Sequence, residues 1–282
     1  MKKYIAVLLV FMLLTMSFTG CSAIGKKIAS SIKGAQSDSA GGEQAEAQPE
    51  AAQDESASAG ANKPVLGGVG FDSPSDSYAK YTELKSAAYD RINNKLSASE
   101  DPEIAMASMS LLPVVMSDLA LLPLTVLTAD QQAAGVALSM LGMKDVKISQ
   151  NGKEYTITYA NQDGDTLTQT CVYDKATDSM RSTLTGSASD GETMYFEYTR
   201  AGNGYASQMF SKNDDGGYTL VLSFFDDSNI AAFGVKSVDT KPASIIGSGA
   251  GLNKDFVKND EMYAIFEGDA LTIMQDGTEK TI

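Results

Sequence analysis

The sequence predicts an α+β protein, with N-terminal helices packed on one face of a curved antiparallel β meander of eight to ten strands. Between residues 75 and 142 the apolar side chains recur three and four apart, the period of a helix with one buried face. From 145 to 282 they alternate with polar ones, and short glycine-bearing turns separate the runs. The run from Ile104 to Leu127 is apolar almost throughout, which is the cover that a sheet with one apolar face requires.

The chain opens on Met1-Lys2-Lys3, a short basic start, and continues as an entirely apolar run from Ile5 to Leu14. Ten such residues reach roughly 15 Å as a helix, about half of a bilayer core, so this is a secretory signal and not a stable span. The segment ends Phe18-Thr19-Gly20-Cys21. That ending resembles the lipobox of bacterial lipoprotein precursors, which reads Leu-Ala/Ser-Gly/Ala-Cys; Phe18 stands where Leu is usual. The resemblance covers residues 1–21. It implies removal of the signal peptide 1–20 and a thioether-linked diacylglycerol on Cys21, with palmitate-type acyl chains. It also implies a cell-membrane location on the extracytoplasmic face. Two or three acyl chains, at about 0.8 kcal/mol per buried CH₂, hold a protein stably where one does not.

Residues 21–74 are expected to be a disordered, lipid-anchored acidic tether. Its first part carries Ile24, Ile28 and Ile32 on one helical face, with Lys26, Lys27 and Lys33 off it. That stretch reads either as a basic turn lying on an anionic membrane surface or as the start of the linker. From Gly34 to Asn62 there is no basic and no aromatic residue, only small and polar ones with six acids. Such a stretch cannot bury enough apolar surface to offset its ordering entropy. Extended from Gly34 to Pro74, a flexible tether of about 40 residues spans on the order of 35 Å.

A single folded domain is expected over 75–282, with helices over 75–142 and the meander over 145–282. Ser75 or Asp76 is the expected N-cap of a helix running to about Ala98, with Tyr81, Leu84, Ala88, Ile92 and Leu96 at helical spacing. Asp101-Pro102-Glu103 reads as a fresh start, with proline in the first turn and acids at the positive end. In Ile104–Leu127 the only polar side chains are Ser108, Ser110, Ser117, Asp118 and Thr125, and Pro113 and Pro123 interrupt it. A helix apolar nearly all round is buried or in lipid. Asp118 and the prolines favour a buried central helix packed on the sheet. Thr128-Ala129-Asp130-Gln131 resembles a capping box opening a shorter helix that stops at Gly142.

After that the period is two. Tyr155, Ile157 and Tyr159 alternate with threonines; Met194, Phe196 and Tyr198 alternate with Glu197 and Thr199; Tyr218, Leu220, Leu222 and Phe224 form a third run. Turn pairs separate such runs at Asn151-Gly152, Asp163-Gly164, Asp190-Gly191, Asn203-Gly204, Gly216-Gly217 and Asp276-Gly277. One face of the sheet is expected to be apolar and the other Thr, Ser and acid.

Composition narrows function. Residues 1–20 hold Lys2 and Lys3 and no acid, so losing them takes the net charge from −14 to −16. Nucleic acid needs basic patches, and none appears. Histidine is absent, which removes His-based nucleophilic machinery and the commonest transition-metal ligand. With Cys21 committed to lipid, Cys171 has no disulfide partner and reads as a small core residue. The acidic turn Asn161-Gln162-Asp163-Gly164-Asp165 fails the calcium-loop pattern, since glycine falls at position 4 and Val172 at position 12. Gly247-Ser248-Gly249-Ala250-Gly251 lacks the Lys-Ser/Thr ending of a phosphate loop. No catalytic residue, metal or cofactor is expected.

The expectation is therefore a non-catalytic lipoprotein binding an apolar or lipid-like molecule between sheet and helices. The groove candidates are Met109, Leu112, Met116, Leu119, Met194, Phe196, Tyr218, Leu220 and Phe224. The long segment Asp239–Asn259 is a candidate lid, with Ile245, Ile246, Leu252 and Phe256 to close over a ligand. In outline, helices followed by a curved meander resemble the lipoprotein-carrier proteins of bacterial envelopes, which implies a lipid-like cargo. The alternative from another class is an envelope scaffold or signalling module that holds a protein partner on the sheet face or edge.

Overall fold

The computed structural model describes residues 70–186, 192–213, 215–275 and 277–282. The signal peptide, Cys21, the Ile24–Ile32 stretch, the tether up to residue 69 and the Asp190-Gly191 turn lie outside the described residues.

Helix α1 spans Pro74–Ser97. Its N-cap is Ser73, two residues ahead of the expected Ser75, because Pro74 fits the first helical position and the Ser73 hydroxyl accepts from the Asp76 N–H at 3.1 Å. The residues just before it are also packed: the Phe71 carbonyl accepts a hydrogen bond from Tyr173 OH at 3.0 Å. A Cβ at Gly70 would sit 2.1 Å from the Lys175 carbonyl, so only glycine allows that approach.

The apolar run is three pieces and not one helix: α2 (Pro102–Ser110), α3 (Leu112–Ala120) and a 3₁₀ turn (Leu122–Val126). The breaks fall at Leu111 and Leu121, where ψ flattens to −2° and −1°. Each stands two residues before a proline, which lacks the N–H and crowds the preceding turn. Helix α4 spans Gln131–Ser139, capped by Asp130, whose carboxylate accepts from Gln132 and Ala133 at 2.9 Å each. The cap is thus Asp130 and not Thr128, whose hydroxyl is engaged with Ser75 at 3.0 Å.

Eleven strands follow in one sheet, in chain order and each antiparallel to its neighbours. They are β1 (Lys144–Asn151), β2 (Glu154–Ala160), β3 (Thr166–Asp174), β4 (Ser179–Gly186), β5 (Glu192–Ala201), β6 (Gly204–Lys212), β7 (Tyr218–Phe225), β8 (Ile230–Val238), β9 (Met262–Glu267), β10 (Ala270–Gln275) and β11 (Thr278–Thr281). The mixed class and the antiparallel meander are as expected, whereas the count exceeds eight to ten. Connections that carry none of the expected turn pairs account for the excess. Asp178 (φ 45°) and Asn229 (φ 75°) take the left-handed conformation at the β3–β4 and β7–β8 turns, and Gly268 (φ 62°) does so at β9–β10.

Both faces of the sheet's centre are apolar, which corrects the expected polar second face. Register places Tyr198 opposite Ser207, Ser207 opposite Ser223 and Ser223 opposite Phe233, a row that α1 covers. Tyr81 of α1 stacks on Tyr198 at 4.7 Å and meets Phe196, Tyr205 and Phe225 edge-on or tilted at 5.7, 5.8 and 5.4 Å. The neighbouring positions point the other way and form a second buried cluster of Ala206, Phe210, Leu220, Leu222, Phe224, Ala232, Tyr263 and Ile265. The segment after β8 closes over it, contributing Ile245 and Val257. Polar character on this face is retained at β2 and β3, where Thr156 pairs with Thr170 and Thr158 with Thr168.

Candidate functional site

The nine groove candidates do not meet. Met194 and Phe196 are buried on the α1 side, with Phe196 against Tyr81. Leu220 and Phe224 belong to the second cluster on the opposite face, and Tyr218 packs beside them. The pleat causes this: successive residues point to opposite faces, so Phe196–Met209–Val221 and Phe210–Leu220 are cross-strand rows on different sides. Met109, Met116 and Leu119 are 55%, 43% and 37% exposed, and Leu112 is half-buried. A groove between helices and sheet lined by all nine is therefore not formed, and stacked rings fill the interface in its place.

The lid candidates do gather. Ile245 is buried, Leu252 and Phe256 pack against the second cluster, and Ile246 is half-buried next to Ile245 in the chain. This strap is tied down closely. A Cβ on Gly234 would stand 2.4 Å from the Val257 carbonyl, and one on Gly249 would stand 2.1 Å from that of Arg200. Glycine at these two points lets the strap lie directly on β8 and β5.

Two buried carboxylates fasten the layers, and neither is marked by any pattern in the sequence. Glu197, fully buried on β5, accepts from Gln208 Nε2 (2.8 Å) and Ile245 N (2.5 Å) on one oxygen. On the other it accepts from Ser244 Oγ (2.8 Å) and Tyr195 OH (3.0 Å), with Arg181 Nε at 3.5 Å. Asp178, in the β3–β4 turn, accepts from Ser77 Oγ (2.6 Å) and Tyr173 OH (3.1 Å) on one oxygen. Its other oxygen accepts from Tyr205 OH (2.7 Å), with Arg200 Nη1 at 3.5 Å. Every oxygen is engaged by structural donors, so these groups tie elements together and leave no lone pair aimed at a substrate.

A third buried charge explains Asp118. Lys85 of α1 is 3% exposed and reaches across to α3, donating to Asp118, to Ser117 Oγ at 3.2 Å and to the Val114 carbonyl at 3.3 Å. Burial by itself would push the Lys85 ammonium down, but Asp118, with Tyr81 adding to it, holds it above its usual value. Burial also raises the phenols of Tyr78, Tyr81, Tyr173, Tyr198 and Tyr205, and lifts the Cys171 thiol to about 12. The folded state therefore holds these protons more tightly than the unfolded chain, whose tyrosines ionise near 10.0 and lysines near 10.5. Stability from the tyrosines and Lys85 is complete below about pH 10 and falls as pH rises through and beyond it. Alkaline titration should show the phenolate absorbance of these five tyrosines appearing only together with loss of circular dichroism. Ionisation of all twelve tyrosines in a chain that stays folded would contradict the burial of this cluster.

What remains unpartnered is a stripe on the apolar run. Its inner side, Ile104, Ala107, Leu111, Val114, Leu121 and Leu124, is buried. Its outer side is Met109, Leu112, Met116 and Leu119, spaced three and four apart. Among the described residues, five of six exposed large apolar side chains lie between 109 and 140, Val136 in α4 and Met140 just after it being the others in that stretch. Ala107–Val126 has the length and mean hydropathy (1.8) of a membrane-crossing segment, and only 39% of it is buried.

One of the sheet's two edges, β1, is partly occupied. The Gln131 side chain donates to the Val146 carbonyl and accepts from Ile148 N at 2.8 Å, filling ladder positions of edge strand β1. An open recess of about 420 Å³, lined by Ser110, Val235, Asp260, Glu261, Met262, Gln275 and Gly277, brings together no buried reactive group. Among the described residues no three His, Cys, Asp or Glu side chains converge as a metal site would need. No known protein family, curated protein or solved structure matches this chain.

Proposed function

We propose that this chain is the precursor of a lipoprotein, lipid-modified at Cys21 and held on the extracytoplasmic face of the cell membrane. Its folded domain is a non-catalytic binding module for an apolar or lipid-like molecule. The observation that supports this best is the outer stripe of α2 and α3, where Met109, Met116 and Leu119 stand exposed on a chain that is otherwise strongly acidic. Five of the six exposed large apolar side chains among the described residues lie between 109 and 140, a concentration of apolar exposure that marks a binding surface. The apolar ligand is placed on Met109, Leu112, Met116 and Leu119 and not between sheet and helices, where aromatic rings occupy the space. A scaffold using the β1 edge has less support, since Gln131 already bonds the Val146 carbonyl and the Ile148 N–H there.

Two measurements test the proposal. A palmitate analogue fed to expressing cells should label the wild-type chain and not Cys21→Ser; label persisting in that variant would place the modification elsewhere. Native mass spectrometry of the gently extracted protein should show co-purifying lipid, reduced when Met116 is replaced by Gln.

A further inference from the structure

We infer that the partner of the α2–α3 stripe is the surface of the bilayer itself, which the domain touches with its apolar side while anchored; this rests on the lipid-anchor reading above. Three observations converge on it. The first is chemical: from Ile104 to Leu127 the only ionisable side chain is Asp118, and Lys85 holds it from within. The stripe therefore offers thioether and isobutyl groups to its surroundings, with one charge beside them, the half-exposed Asp118 carboxylate, which the buried Lys85 ammonium neutralises. It has no basic residue to select an anionic headgroup either, so the contact is with the acyl boundary, where apolar area alone stabilises.

The second is where the chain enters the domain. The Ser75 hydroxyl, at the start of α1, accepts from Thr128 N at 3.3 Å and from the Thr128 hydroxyl at 3.0 Å, so the start of α1 lies beside the end of the apolar run. The third is the length of chain ahead of it. Between Cys21 and Pro74 lie 52 residues. A chain of that length spans at most about 170–190 Å, so its length permits the domain to settle on the bilayer that holds its lipid. Two-point attachment then follows from effective concentration: the anchor keeps the stripe at high local density of its partner, so a contact too weak to recruit the free domain is occupied in the anchored one.

The absence of tryptophan makes the test direct. Met116→Trp places a single emitter on the stripe, and Val172→Trp places one at an equally exposed position on β3. Each lipidated, full-length mature chain is reconstituted into phosphatidylcholine vesicles, with and without lipids brominated on the acyl chains. The indole at position 116 should emit to the blue of the one at position 172 and be quenched by the brominated lipid, while the indole at position 172 is left unquenched. A lipidated chain in which both emit alike and unquenched would overturn the bilayer contact and leave the anchor standing. A chain that never takes palmitate would overturn the anchor, and this contact with it. If the Met116→Trp emission is already blue-shifted in detergent-free solution of the Cys21→Ser chain, its oligomeric state decides. A dimer makes a second copy the occupant, and a monomer with bound lipid makes a single lipid molecule the occupant; both refute the bilayer.

Discussion

Asp178→Ala should lower the unfolding free energy by about 3 kcal/mol, a large part of the roughly 5–15 kcal/mol available to a domain. The carboxylate is 2% exposed and accepts from Ser77, Tyr173 and Tyr205, with Arg200 alongside. It thereby joins the first turn of α1 to β3, β5 and β6 at one point. Removing it leaves the Tyr205 hydroxyl without its acceptor, whereas Ser77 keeps Tyr198 OH at 2.6 Å and Tyr173 keeps the Phe71 carbonyl at 3.0 Å; a buried donor costs about 1–3 kcal/mol when its partner is deleted. The backbone adds a second part, because Asp178 sits at φ 45°, where alanine is strained by about 1–2 kcal/mol. Asp178→Gly removes only the strain component, so it should be less damaging than alanine by about that amount. Asp178→Asn keeps one acceptor oxygen and the tolerance for positive φ and should be the mildest of the three. Urea denaturation orders the variants through their midpoints. If alanine and asparagine unfold at the same midpoint as wild type, the hydrogen-bonded knot is not holding these strands.

The same residue shows why part of the fold is legible in the sequence and part is not. Periods of 3.6 and 2 are written by every apolar residue along an element, so α1, α4 and the strands around Ile157, Phe196 and Leu222 can be placed from spacing alone. The Asn-Gly and Asp-Gly turns are visible because glycine is the least strained residue at positive φ. Asp178 and Asn229 do the same work without glycine, stabilised by partners distant in sequence, and no local pattern reports them. The second buried face is hidden for a related reason. Ala206, Phe210, Leu220 and Phe224 alternate with the buried residues of the α1 face, so β6 and β7 are covered on both sides, and the second cover has to be known before that burial can be read. That cover, Asp239–Asn259, shows its apolar residues plainly, while the carboxylate that fixes it lies 47 residues before Ser244, at Glu197. The apolar run is the opposite case: its composition is plain, but which side faces out depends on where two prolines break it.

Glu197→Ala should release that strap. The carboxylate holds Ser244 Oγ and the Ile245 N–H from the strap, and Gln208 and Tyr195 from the sheet. Gln208 has a second acceptor in the Ala243 carbonyl at 2.7 Å, and Arg181 a second partner in Ser244, so the uncompensated loss falls chiefly on the Ile245 N–H and the Ser244 hydroxyl. Two such groups correspond to about 3 kcal/mol; Arg181 is half-exposed and its share is screened. The loss should be local before it is global, because the strap has little regular structure beyond the short 3₁₀ turns Gly249–Gly251 and Lys254–Val257. Brief digestion with a nonspecific protease should then cut the variant between 239 and 259 while the rest of the domain stays folded. The exposed Phe210, Leu220 and Phe224 should bind a hydrophobic dye that ignores the wild type. Glu197→Gln, which keeps one acceptor oxygen for the Ile245 N–H, should show the same cut more slowly. A Glu197→Ala protein whose strap resists cleavage as well as the wild type would mean that burial of Ile245 and Val257, and not the carboxylate, holds the second layer in place.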